Sequence, residues 1–172
     1  MKKIISIFLM MFLATNVFAG KIKVNSGNVK FIKDEGSAVV EFDFSRTTWE
    51  GKEDFKTWCA DQYEKRISAM RQSFITSFNE ESKGLKISDT ETTPRYRMIV
   101  VVEDLERSQS FTGAWGQGKF STTCSISVID VATELSVCEI YVDGFGSGQD
   151  FDYTDGLGKC FKGLAKELSK LK

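Results

Sequence analysis

Between Phe55 and Phe78, apolar side chains return every third or fourth residue: Phe55, Cys59, Tyr63, Ile67, Met70, Phe74 and Phe78. Lys56, Asp61, Glu64, Lys65, Arg71 and Glu80 fall largely elsewhere on the helical wheel. One apolar stripe at a 3.6-residue period predicts a long amphipathic helix that must bury that stripe against another layer. Gly84 supplies its stop. A second stripe, Leu157, Cys160, Phe161, Leu164, Leu168 and Leu171, predicts a C-terminal helix. Thr154 or Asp155 caps its start, and Lys170 and Lys172 complement its negative end. An aromatic stripe can line a cofactor, but one-sided spacing of this kind serves core packing against a sheet.

The strands supply that sheet. Val29–Lys33 and Ser37–Phe44 read as a strand pair turning at Asp34-Glu35-Gly36. In the second run Val40, Phe42 and Phe44 share a face opposite Glu41 and Asp43, which marks a half-buried strand. Tyr96–Val102 is rich in β-branched residues and reads as a central strand. Lys119–Asp130 and Leu135–Asp143 form a long hairpin. Phe120, Cys124, Ile126 and Val128 alternate with Ser and Thr, and Cys138, Ile140 and Val142 with Glu139, Tyr141 and Asp143. Arg107–Gly118 and Gly144–Tyr153 read as loops. The expected fold is α+β, a two-layer sandwich with two helices packed on one face of a mixed β-sheet, in the order β-β-α-β-β-β-α. A polar outer sheet face stays wet. At 172 residues the chain holds one domain of this kind, over residues 20–172.

Residues 1–19 read as a signal peptide outside that domain. Met1-Lys2-Lys3 is a basic start, Ile4–Leu13 an apolar run, and Val17-Phe18-Ala19 places small residues before Gly20, where cleavage is expected. The run is shorter than the roughly 20 residues that span a bilayer, and no later segment reads as transmembrane. No Cys follows the cleavage point to carry a lipid anchor there. The expected location is periplasmic or secreted. Loss of Lys2 and Lys3 takes the formal charge from −1 to −3. Lys+Arg and Asp+Glu nearly balance, at 23 and 24, so no basic excess favours nucleic acid.

The four cysteines, Cys59, Cys124, Cys138 and Cys160, all follow the cleavage point. An even count in an exported chain permits disulfides, and the pairing is open among three arrangements. Helix-to-sheet bonds fit better than a bond across the hairpin. Free thiols packed as small apolar side chains are the equal alternative. No C-x-x-C pair suggests zinc or redox catalysis.

The sequence holds no histidine, which removes the usual general base and commonest metal ligand. Gly144-Phe145-Gly146-Ser147-Gly148 lacks the Gly-Lys-Ser/Thr ending of a phosphate loop, and Asp150, Asp152 and Asp155 follow it. The same acids do not keep calcium-loop spacing. No catalytic residue, metal site or cofactor is read from the chain. Aromatic residues in the loops are the candidate partner-binding set: Phe111 and Trp115 in one connection, Phe145, Phe151 and Tyr153 in the other. Antiparallel strands bring both connections to one end of the sheet, and Trp49 can join either end. These rings can equally tuck under their loops as a satellite of the core.

Val40-Glu41-Phe42-Asp43-Phe44, Phe74-Ile75-Thr76-Ser77-Phe78-Asn79 and Tyr96-Arg97-Met98-Ile99-Val100-Val101 together resemble the plan of a group of small secreted Bacteroidetes proteins. More distantly, the hairpin ending near Val128-Ile129-Asp130, with a later Gly-x-Gly stretch before a helix, resembles envelope domains with an anticodon-binding-domain-like fold. These include the periplasmic part of the curli secretion pore, penicillin-binding-protein activator lipoproteins and the N-terminal domain of the Tol propeller protein. Val131-Ala132-Thr133-Glu134 replaces the usual Thr-Gly turn of that pattern. The resemblance implies an assembly or binding module and carries no catalytic residues. The expected function is therefore an exported, non-enzymatic binding or accessory module contacting an envelope protein or polymer. The alternatives are a small hydrolase using Asp150 or Asp152, with a raised pKa in a pocket, and a self-assembling protein pairing through a sheet edge.

Overall fold

A computed structural model of the chain describes residues 21–109 and 118–172. The expected signal peptide lies outside them. β1 (Lys21–Gly27) leads through a 3-10 turn (Lys30–Lys33) to β2 (Ser37–Asp43). Two short strands, β3 (Thr48–Trp49) and β4 (Glu53–Asp54), precede α1 (Phe55–Cys59), a 3-10 turn (Ala60–Gln62) and α2 (Tyr63–Glu81). Then come β5 (Lys86–Ser88), β6 (Tyr96–Gln109), β7 (Gly118–Asp130), β8 (Ser136–Asp150) and α3 (Tyr153–Leu168).

All eight strands join one mixed sheet, with the path β1-β8-β7-β6-β2-β5. The β1–β8, β7–β8 and β6–β7 pairs are antiparallel, and β2 lies parallel to both β5 and β6. Beyond the end of β2, β3 takes its place beside β6, with Trp49 opposite Leu105. The expected α+β class holds, with the helices packed against the sheet.

Alternation decides which face they cover. Along β7, Phe120, Thr122, Cys124, Ile126 and Val128 are buried, and the Ser and Thr residues Ser121, Thr123, Ser125 and Ser127 between them are half-buried. A bulge in β6 between Val102 and Asp104 resets the parity, so Val102 and Leu105 both face the core. The Phe42 and Phe74 rings meet edge-on at 5.4 Å, and Phe44 lies 6.3 Å from Phe161. Full burial of such a ring, as at Phe74 and Phe161, contributes about 1.5–3 kcal/mol. Gly156 lets the first turn of α3 settle onto β7, because a Cβ there would lie 2.1 Å from the Phe120 ring.

Several elements depart from the sequence reading. The observed order is β-β-β-β-α-α-β-β-β-β-α. Lys30–Lys33 is a 3-10 turn, since Phe31 and Ile32 are adjacent and both buried, which a one-faced strand does not allow. The long helix breaks at Ala60, whose φ of 49° leaves the right-handed region. Its apolar stripe nonetheless runs across the break: Phe55, Cys59, Met70, Phe74 and Phe78 are buried, Tyr63 and Ile67 half-buried. α2 stops at Glu81, before Gly84. Asp152, not Thr154 or Asp155, caps α3, its carboxylate accepting from the Asp155 N–H at 3.0 Å.

The largest departure is β8. Gly144–Asp150, expected as a loop, continues the strand. Gly144 takes φ of 57° where Thr122 pairs with Phe145 and Cys124 with Val142, the geometry of a glycine bulge. Its N–H donates to Thr123 Oγ1 at 3.1 Å, and the ladder resumes as far as Asp150 opposite Gly118.

Candidate binding site

Trp49 anchors the site. Thr47 Oγ1 donates to the Val102 carbonyl at 2.7 Å, and Glu50 N–H to the Leu105 carbonyl at 2.8 Å, which fixes β3 along the distal half of β6. Trp49 is thereby held 6% exposed. The break at Ala60 follows one short turn of helix, started by Asp54, whose Oδ1 accepts from the Thr57 N–H at 2.7 Å. That turn places Trp58 flat against Trp49, with centroids 3.8 Å apart and planes 12° from parallel. Phe55 lies beneath both. Tyr153, the first residue of α3, meets Trp58 at 5.2 Å and Phe120 at 5.7 Å, both near edge-on. Four elements thus deliver one aromatic cluster.

Two guanidiniums complete it. Arg66 on α2 lies 4.5 Å from the Trp58 ring centre and 5.6 Å from that of Tyr153. Arg107 on β6 lies 4.6 Å from the Tyr153 ring and donates from Nη1 to the Tyr153 hydroxyl at 2.9 Å. The Arg66 Nε–H is shielded from solvent and has no hydrogen-bond acceptor. Its guanidinium lies beside the Cys59 thiol and pulls that group's pKa down, against a larger upward push from burial. Trp58, Tyr153 and Arg66 are each half-buried, so the cluster has an open side.

The expected binding residues distribute unevenly. Tyr153 is central to the cluster. Phe151, two residues before it, is 53% exposed. Phe145 is half-buried beneath α3, its ring close to Gly163, and its carbonyl accepts from the Cys160 thiol at 3.4 Å. Phe111 and Trp115 lie outside the described residues. Their connection leaves β6 at Gln109 and returns at Gly118, which pairs with both Gln109 and Asp150. Trp58, Arg66 and Arg107 were not read as site residues from the sequence. The signal available was two tryptophans nine residues apart, one of them, Trp58, off the helical stripe.

The four cysteines are free thiols and all are buried, so no helix-to-sheet disulfide is present. Each fills apolar volume, and burial lifts the thiol pKa in every case, that of Cys160 to about 12.

The acids proposed for a hydrolase behave as structural groups. Asp150 pairs with Lys159, which is the main cause holding its carboxyl below the usual range. Asp152 is held low by the Asp155 N–H that it caps. Both directions oppose what a proton-donating acid needs. A shallow depression between α2 and α3 is lined by Ala69, Ser73 and Gly158, and by neither of these two acids. Glu106 is pushed upward, by burial first and by Asp104 beside it. It stands on the outer sheet face next to Ser121. Among the described residues, no group of three or more Cys, Asp or Glu is placed to hold a metal, and no helix is long and apolar enough to cross a membrane.

No family model matches the chain, and no curated protein sequence matches it. Solved structures do. A PelC dodecamer from Paraburkholderia phytofirmans aligns with 89% of this chain and 99% of its own, at 16% identity and a TM-score of 0.49. A single-substitution variant of that dodecamer aligns over 87% and 97%, at 13% identity and 0.46. A DUF330 protein from Xanthomonas campestris aligns over 88% and 91%, at 9% identity and 0.47. At these values neither residue roles nor activities pass from those proteins to this chain.

Proposed function

We propose that this chain is an exported, non-enzymatic binding module of the bacterial envelope. It acts through a protein or polymer contact at the end of the sheet where Trp49, Trp58, Phe151 and Tyr153 gather. The observation that carries the reading is the convergence of β3, α1, α3 and β7 on one aromatic cluster, with two guanidiniums on it and half-exposed rings at its edge. Aromatic and arginine side chains are the residue types that anchor recognition surfaces. The basic, apolar and small-residue order of residues 1–19 supports export. The resemblance to envelope domains supports an accessory role. Crosslinking in the native envelope followed by capture of the tagged chain tests this. A Trp115→Ala, Phe151→Ala double variant that folds and keeps every captured partner removes this end of the molecule from consideration.

A second reading is self-assembly through a sheet edge. β1 ends the sheet path, and most of its residues are exposed. Lys21 and Lys23 stand on that edge, where charge opposes strand addition. Light scattering that shows a monomer at high concentration ends this reading.

A further inference from the structure

We propose that Arg66, held over the Trp58 ring beside Tyr153, is the carboxylate-binding group of a site for an acidic saccharide. This rests on the reading of the chain as a binding module and names the ligand for that same end of the fold.

Among the described residues Arg66 has no acidic partner. Its positions i−4, i−3, i+3 and i+4 on α2 are Gln62, Tyr63, Ala69 and Met70, so no acid reaches it along the helix. Its contacts across the fold are the Trp58 and Tyr153 rings and the Cys59 thiol. No carboxylate bonds it, and its Nε–H is left without an acceptor. Four other cations show the paired alternative: Arg71 with Asp89, Arg95 with Asp34, Lys159 with Asp150 and Lys166 with Glu81. Arg95 is the instructive case, because it too lies over a tyrosine, Tyr96, at 4.9 Å. There Asp34 closes the arrangement, 3.3 Å from Arg95 and accepting from the Tyr96 hydroxyl at 2.7 Å. The Arg66 stack is the same arrangement with the carboxylate missing.

A guanidinium backed by an aromatic ring keeps its in-plane donors for a planar oxyanion, which it takes in two parallel hydrogen bonds. A carboxylate fits that fork. The rest of the surface decides what carries it. Among the described residues the exposed large apolar side chains are Val24, Val131, Leu135 and Phe151, and only Phe151 is near the stack in sequence, two residues before Tyr153. A stable protein interface needs roughly 800 Å² on each side with an apolar centre. One large exposed apolar ring does not supply that. It does suit a sugar ring, which can lay its C–H face on an aromatic while its acid meets the arginine.

The test titrates the full exported chain with an oligogalacturonate, a neutral maltooligosaccharide and poly-L-glutamate at fixed ionic strength. Tryptophan emission and calorimetry follow binding. The expected result is binding of the oligogalacturonate, with the neutral sugar weaker by roughly tenfold or more and R66Q weaker by a similar factor. R66K should fall between, and Lys65→Gln should change affinity by less than about twofold. Phenylglyoxal footprinting of the wild-type chain gives an independent readout if R66Q does not fold: the saccharide should protect Arg66 and not Arg95. Equal binding by a folded R66Q, or no protection of Arg66, overturns the site and leaves the binding-module reading standing. Poly-L-glutamate binding without saccharide binding overturns the ligand class. No binding of any probe, with envelope capture still positive, overturns the proposal alone; an empty capture as well takes the module reading with it.

Discussion

The two ends of β6 carry the same pair of residue types and finish them differently. At its start, Arg95 covers Tyr96, and Asp34 satisfies both the guanidinium and the phenol. Toward its far end, Arg107 and Arg66 cover Tyr153 and Trp58, and the tyrosine hydroxyl accepts from Arg107 instead of donating to an acid. The first is a closed triad whose charge is spent within the fold. The second leaves the Arg66 charge on a rigid aromatic base at the open side of the cluster. A folded chain gains from pairing its charges, so an end that withholds the acid is where an external one has room to bind.

The comparison depends on that base being rigid, and Trp49→Ala strikes it hardest. Trp49 is buried between Trp58, Phe55 and Tyr153. Truncation should cost about 3–5 kcal/mol by urea unfolding, the range for large aromatic side chains in a core. A loss below about 1 kcal/mol would show that the rings rearrange freely, and the distinction between the ends would fail.

At the closed end, Tyr96→Phe removes the hydroxyl that donates to Asp34 and should cost about 0.5–1.5 kcal/mol at neutral pH. The penalty should itself depend on pH. Burial first, and the Asp34 acceptor second, raise the Tyr96 pKa in the folded state. A raised folded pKa means stability fully present below the unfolded value, about 10, and lost as pH rises through the folded one. The gap between wild type and Tyr96→Phe should therefore narrow above about pH 10. A gap that stays constant in alkaline unfolding curves would show that the hydroxyl is not held as the triad requires.

How much of this contrast was legible beforehand follows from which forces set each part. The helical stripes and the β7 alternation state burial directly, so the two-layer α+β fold was readable from them. The break at Ala60 was not, because Phe55 and Cys59 keep the stripe's phase across it and periodicity cannot register a kink that preserves phase. Gly144–Asp150 looked like a loop for its glycines, whereas β7 opposite supplied a ladder that composition does not reveal. At the site, Tyr153 and the neighbouring Phe151 stood out as aromatics in a polar stretch. Trp58 and Arg66 did not, since each sits within a helical run and their meeting depends on that same kink.

Arg66→Ala probes the open side of the cluster. Half-buried guanidinium–ring contacts contribute about 0.5–1 kcal/mol each at such sites. With two such contacts the loss should stay within about 1–2 kcal/mol, because no acid is stranded when Arg66 leaves. Asp34→Ala strands both a guanidinium and a phenol, and by thermal unfolding it should be the more damaging of the two. The reverse ranking would mean that Arg66 holds the fold together and that its charge is already spent.

Phe151→Ala should have the smallest effect on the fold. With 53% of its surface exposed, the ring has little burial to lose, and the unfolding midpoint should move by no more than about 0.5 kcal/mol in free energy. The backbone around it is fixed independently: Asp150 accepts from the Phe151 N–H at 2.7 Å and Asp152 caps α3. The ring is therefore exposed two residues before Tyr153 with no structural duty of its own. Capture from the envelope separates the two accounts of such a ring. If Phe151→Ala leaves stability unchanged and lowers partner recovery, exposure at this end is for contact. If neither changes, the open end is defined by Arg66 and the stacked tryptophans alone, and the contact surface contracts to them.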